Sequence, residues 1–406
     1  MSNGSATLAA AAAAPITAKY NNAIGYLRAF IVVLVVAHHA ALAYHAYAPP
    51  PQASLLTQPR RWGAFPVVDP HKWSGAALLV GFNDTFFMSL LFFLSGLFVW
   101  RGVAGKGAAT FLRDRLFRLG PPFVVATAIF APIEYYPAYL QISGHDGVAG
   151  FWHQWLSLGN WPAGPAWFIW VLLAFDCIAA LLFVLTPKWG LKLGALTSSA
   201  VRRPGIFFAA LIAISAAAYI PLAHHFNPLA WSTFGPFSFQ TSRILHYLVY
   251  FLIGVGVGAW GLDRGLLSPQ GKLARRWPLW SAAALVFFMI ATASTMAAFA
   301  SWGRSPALAL AMNAGFVFSC AASCFAFLAL FLRFVQSRSR VWDGLAANSY
   351  PIYLIHYAVV SWIQYELVQA ALPGVAKWLI VFPGALMLSW AVAETIRRIP
   401  AVARVI

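Results

Sequence analysis

The residues with the clearest chemical meaning lie in apolar surroundings that tolerate them poorly. Within the stretch IGYLRAFIVVLVVAHHAALAYH are Arg28, His38, His39 and His45. Arg28 and His39 are eleven positions apart, about three helical turns, so a helix sets them on nearly one face about 16 Å apart along its axis. That spacing predicts His39 near the middle of a membrane, with Arg28 at the inner end of the same helix. His38 points about 100° away, on the face it shares with His45. An imidazole at such depth either hydrogen-bonds a neighbouring helix or works as a base.

The next apolar stretch, GFNDTFFMSLLFFLSGLFVW, holds Asp84 at a depth similar to that expected for His39, with Ser95 on the same face. A carboxylate that fixes the tautomer of an imidazole is the usual form of a general base, so Asp84 and His39 are a candidate dyad. The alternative is that Asp84 pairs with Arg243 or another polar group for structure alone. Glu134 and Asp176, in the third and fourth apolar stretches, are further carboxylates that could take the supporting role.

Two more clusters carry chemistry. In FLRDRLFRLGPP, Arg115 and Arg118 are three residues apart and can face one way on a helix. Paired guanidiniums are planar, permanently charged and bidentate, which suits a phosphate clamp; anchoring on the cytoplasmic side is the competing reading. In NSYPIYLIHYAVV, His356 sits about mid-membrane with Tyr353 and Tyr357 one turn around it. It is either a functional group or a satisfied core histidine.

The elements that must position these residues follow from composition. Of 406 residues, 61% are hydrophobic and 9% charged, and the mean hydropathy is +0.73. A soluble domain carries about 25% charged residues, and a disordered chain is far less apolar. Three cysteines form no disulfide framework, and no Cys or His spacing suggests a metal site. What remains is an all-α, polytopic transmembrane bundle of about ten helices. The runs fall at 24–46, 76–100, 119–140, 164–186, 206–224, 243–262, 279–300, 306–332, 346–370 and 375–396. Residues 1–20 are an Ala-rich tail expected to be disordered, followed by one membrane domain over 21–400.

The net charge of +17 is distributed as a membrane protein distributes it rather than as a nucleic-acid footprint. With both termini cytoplasmic, twenty-one of the 27 basic residues fall in inner segments and six in outer ones. The outer loop 141–163 has no Lys or Arg, but holds His145, Asp146, His153 and three tryptophans.

Taken in order, YLRAFIVVLVVAHHA, FFLSG, RDRLFRLGPP, GPAWFIWVLLAFD, YLVYFLIGVGVG and NSYPIYLIHY resemble the acyltransferase 3 family of bacterial multi-pass membrane proteins. The family pattern of Arg, ten residues, then His falls on Arg28 and His39, and its loop Arg-x-x-Arg falls on Arg115 and Arg118. Many members carry an acidic residue shortly before FF-x-x-SG, where this chain has Ser89; that departure resembles the subgroup with glucan-modifying members. The resemblance implies transfer of an acetyl or succinyl group from cytoplasmic acyl-CoA, a co-substrate rather than a bound cofactor, to a carbohydrate or related hydroxyl. It implies His39 as base and Arg28, Arg115 and Arg118 as donor-binding groups, while the departure at Ser89 leaves the helper carboxylate open, with Asp84 the candidate read from the residues. His38, Ser95, Glu134, Asp176, Arg243, Tyr353 and His356 are possible additional site residues. The expected setting is the inner (plasma) membrane, with lipid, acyl-CoA and a glycan as partners and no nucleic acid. The rival class is a transporter or flippase of a polar or glycolipid substrate, which would also bury His, Asp and Arg in a bundle.

Overall fold

The computed structural model describes residues 22–52, 65–144, 147–159, 161–263, 265–301 and 304–405. The segment 1–20, Arg60, Arg61, His145, Asp146 and Arg264 lie outside the described residues. Each of the ten apolar runs corresponds to a helix. They are α1 (Asn22–Leu42), α2 (Ser74–Gly96) continued by the short α3 (Val99–Lys106), and α4 (Ala108–Val125) running through a π-helical turn (Ala126–Phe130) into α5 (Ala131–Ser143). After the connecting helix α6 (Gly147–Ser157) come α7 (Trp167–Leu185), the amphipathic α8 (Trp189–Arg202) and α9 (Pro204–Phe226). A two-stranded hairpin, β1 (Trp231–Phe234) with β2 (Phe237–Gln240), precedes α10 (Ile244–Trp260) and the four-residue α11 (Lys272–Arg275). The chain then continues as α12 (Trp277–Ala300), α13 (Pro306–Phe334), α14 (Arg340–Leu367), α15 (Gly374–Ile396) and the terminal α16 (Pro400–Ala403).

Among the described residues, eight helices are long and apolar enough to cross a membrane, and a ninth span is made if Ile244–Trp260 and the segment Gly265–Arg275, bent by 83°, are taken together. The protein is thus a helical, polytopic bundle, with slightly fewer self-evident spans than the ten runs suggest. The run that fails on composition is α14. Its 28 residues include Asn348, Ser349, His356, Ser361 and Gln364, all buried, because this helix turns its polar face into the bundle.

Two packing features fix the site. First, α1 is packed against α2, α13, α14 and α15, and both its ends are tied to neighbours. At its start, the Tyr26 hydroxyl donates to Asp343 at 2.7 Å. At its end, the last carbonyls of a helix lack partners within it, and foreign side chains supply them: Trp378 Nε1 donates to Ala37 O, and Gln364 Nε2 to His39 O and Ala40 O, each at 3.1 Å. Second, α2 and α10 approach at backbone distance. A Cβ on Gly254 would fall 2.1 Å from Phe93 O, one on Gly258 1.9 Å from Leu97 O, and one on Gly96 2.2 Å from Phe251 O. Glycine is required there because small residues let membrane helices meet at their backbones.

Helix α1 ends at Leu42, four residues short of the expected 46, so His39 occupies its last turn. The run expected over 24–46 is shortened to this extent; α14 and the turns beyond α1 continue past His39.

Candidate active site

His39 Nδ1 lies 2.9 Å from Val35 O and 3.0 Å from His356 Nε2, while His356 Nδ1 lies 2.8 Å from Tyr353 O. A carbonyl oxygen only accepts, so this bond pattern assigns the proton of each neutral imidazole to Nδ1. His356 Nε2 is then an acceptor, and His39 Nδ1–H is shared between it and Val35 O. His39 Nε2 is left with a lone pair directed away from both partners. His356 is fully buried, whereas His39 is partly exposed. A fixed tautomer and an accessible basic nitrogen are what a general base needs.

Aromatic side chains pack around this pair. The Tyr357 ring lies 4.5 Å from that of His39, and Tyr353 donates its hydroxyl to Pro165 O in the turn that ends the outer loop. Glu134 is buried behind Tyr357, with Oε2 unpartnered. Gly164, at φ +53°, closes over it: a Cβ there would be 2.5 Å from Glu134 Oε2 and 3.4 Å from Tyr357 Cδ1. Glycine is demanded twice, by the left-handed backbone and by the contact.

The expected dyad of His39 with Asp84 does not form. Asp84 Oδ2 accepts from Arg243 Nη2 at 2.8 Å, and its backbone carbonyl accepts from Arg243 Nη1 at 3.1 Å. Asp84 therefore takes the alternative partner considered from sequence, and a second histidine stands where a carboxylate was expected. His38 points away from His39, as the 100° spacing requires, and packs on Phe87 with ring centroids 5.1 Å apart. Ser95, next to last in α2, lies eight residues, about 12 Å, beyond the Phe87 on which His38 packs, and is not brought to the histidines.

The arginines also divide differently. Arg115 Nε lies 3.3 Å from Asp176 Oδ2, a carboxylate with no exposure, so Arg115 is turned toward α7. Arg118 is exposed, and its carbonyl accepts from the Tyr350 hydroxyl at 3.2 Å. Arg28 is exposed too, with Nη2 3.4 Å from Ala346 O. Ala346, Tyr350, Tyr353 and Tyr357 are spaced by four, three and four residues, which is one face of α14. This seam runs from Arg28 and Arg118 up to the His39–His356 pair. Over eleven residues it covers about 16 Å. His356 was visible in the sequence, yet nothing there indicated that it contacts His39, because the two are 317 residues apart.

A family model described as an acyltransferase domain, acyltransferase 3, matches residues 21–394 of the chain. No curated protein and no solved structure matches it.

Proposed function

The chain belongs to the acyltransferase 3 family and is a multi-pass membrane acyltransferase, and we propose that it moves an acetyl or succinyl group from cytoplasmic acyl-CoA to a hydroxyl of a carbohydrate or related acceptor at the inner (plasma) membrane. The observation that carries this reading is the α14 seam, with two exposed arginines at one end and a base of fixed tautomer at the other.

Acyl-CoA is anionic and hydrophilic at its nucleotide end. Arg28 and Arg118 would hold its phosphates, and a pantetheine arm spans about the length of the seam. At the far end, His39 Nε2 takes the proton from the acceptor hydroxyl as that oxygen attacks the thioester carbonyl. The carbon–sulfur bond then breaks, and His39 returns the proton to the departing CoA thiolate. His356 keeps the lone pair on His39 Nε2 and shares the positive charge while His39 is protonated. General base help of this kind contributes roughly 10²–10⁴-fold.

The test uses the purified protein in lipid vesicles with acetyl-CoA and succinyl-CoA labelled in the acyl group. Transfer of label to a hydroxyl compound, lost in His39→Ala with acyl-CoA binding retained, is expected. Undiminished transfer in His39→Ala would remove the base from this account.

A further inference from the structure

Asp84 is unusual in a second respect. It lies ten residues into α2, about 15 Å from the helix start, yet its side chain keeps 40% exposure while its partner Arg243 keeps 4%. An open carboxylate at that depth is not tolerated against hydrocarbon. The space before it must therefore hold water or a polar ligand.

The exposure pattern of α2 gives that space a direction. Ser74, Leu78, Gly81 and Asp84 are the open positions of one helical face, and their spacing of four, three and three follows the helical repeat. From Thr85 to Leu94 every residue is buried. The open stripe thus begins at the first turn of α2 and stops at Asp84. Gly81 leaves it open, since nothing lies within 4 Å of the position a Cβ would take.

The floor has defined chemistry. Arg243 engages Asp84 Oδ2 and the backbone carbonyl, which neutralises the carboxylate and leaves Oδ1 open to accept. His38 is within electrostatic reach of Asp84; it is 8% exposed and its Nδ1 has no partner. A neutralised carboxylate beside an unpartnered imidazole nitrogen favours a neutral ligand rich in hydrogen-bond donors over a cation. The His38 ring, on the neighbouring face of α1, is 5.2 Å from that of His39, so this floor and the base are carried by adjacent residues of one helix.

We propose that the groove along Ser74, Leu78, Gly81 and Asp84 is the entry and binding site of a polyhydroxylated acceptor, whose hydroxyls are held by Asp84 Oδ1 with His38 beside it. This rests on the reading of His39 as the transferring base, and it adds where the acceptor binds.

The experiment uses the full-length protein in lipid vesicles, labelled acetyl-CoA at saturation, and two probe acceptors, methyl glucopyranoside and propan-1-ol. Acetyl-CoA affinity is measured separately on every variant. Gly81→Leu adds bulk at a position where nothing lies within 4 Å of a Cβ, and leucine is a better helix former than glycine; thermal unfolding is compared with the wild type. Asp84→Asn keeps the shape and removes the charge. The wild type is expected to acetylate the glucoside well and propan-1-ol poorly. Both variants should raise the KM for the glucoside at least tenfold, with acetyl-CoA affinity unchanged. Three results overturn the groove assignment while sparing the enzyme reading: an unchanged KM in Gly81→Leu, equal use of the two probes, or no glucoside acetylation by a wild type that still binds acetyl-CoA and acetylates propan-1-ol. A wild type that binds no acyl-CoA overturns the enzyme reading, and the groove assignment falls with it.

Discussion

His356 Nε2 stands 3.0 Å from His39 Nδ1, and this contact decides which nitrogen of His39 is basic. Helix α14 supplies the orienting group through a neutral imidazole whose own proton is committed to Tyr353 O. A carboxylate would hold the same tautomer with a full negative charge, at a higher desolvation cost inside a bundle.

His39→Ala is therefore expected to lower acyl transfer by roughly 10²–10⁴-fold. His38→Ala should leave donor turnover far less affected, because its ring turns toward Phe87. His356→Ala should fall between the two, since it frees the His39 ring without removing it. Steady-state rates of the three purified variants check the order, and equal losses from both neighbouring histidines would contradict it.

Donor affinity should separate the arginines. Arg28→Ala and Arg118→Ala are expected to weaken acyl-CoA binding, each with partial rescue by Lys, which keeps the charge and loses the planar fork. Arg115→Ala should act on stability instead, because it strands Asp176, a carboxylate with no exposure. Titration calorimetry with a non-hydrolysable acyl-CoA, paired with thermal unfolding, distinguishes the two effects.

The side-chain cap on α1 should be felt in turnover. Gln364→Ala removes the donor shared by His39 O and Ala40 O, at a cost of about 1–3 kcal/mol for buried acceptors left unpaired. A lower kcat with unchanged acyl-CoA affinity is the expected signature, with partial recovery in Gln364→Asn and none in Gln364→Leu. Loss of donor affinity instead would show that the cap shapes the arginine end.

Close helix contact predicts a stability effect far from the chemistry. Gly258→Ala would put a methyl 1.9 Å from Leu97 O and must force α2 and α10 apart, costing roughly 1–3 kcal/mol as overpacking does. Gly105→Ala, where nothing lies within 4 Å, should be tolerated. Unfolding midpoints in detergent compare them directly.

Orientation is tested by cysteine labelling. With both termini cytoplasmic, Ser157→Cys in α6 should react with an impermeant maleimide from outside. Ser337→Cys, in the α13–α14 connection, should react only after permeabilisation. Both side chains are exposed, so access depends on sidedness alone, and the reverse pattern would invert the topology.

The sequence by itself determined the class and the parts. Low charge, long apolar runs and the placement of arginine settle a membrane bundle, because hydrocarbon admits backbone only as helices or closed barrels. Helical geometry alone separated His38 from His39 and put Arg28 under His39, since both relations lie within one helix. It also exposed Glu134, Asp176, Arg243 and His356 as groups needing partners.

Pairing between helices was decided only by the tertiary structure. Asp84 had two partners open to it, and the choice of Arg243 over His39 turns on how α2 and α10 meet at their glycines, which no periodicity encodes. His356 reaches His39, and Arg115 pairs with Asp176 apart from Arg28 and Arg118, because of helix rotation and depth set by packing. At the end of α1 the carbonyls of His39 and Ala40 are satisfied by Gln364, a residue more than three hundred positions away that the local sequence could not announce.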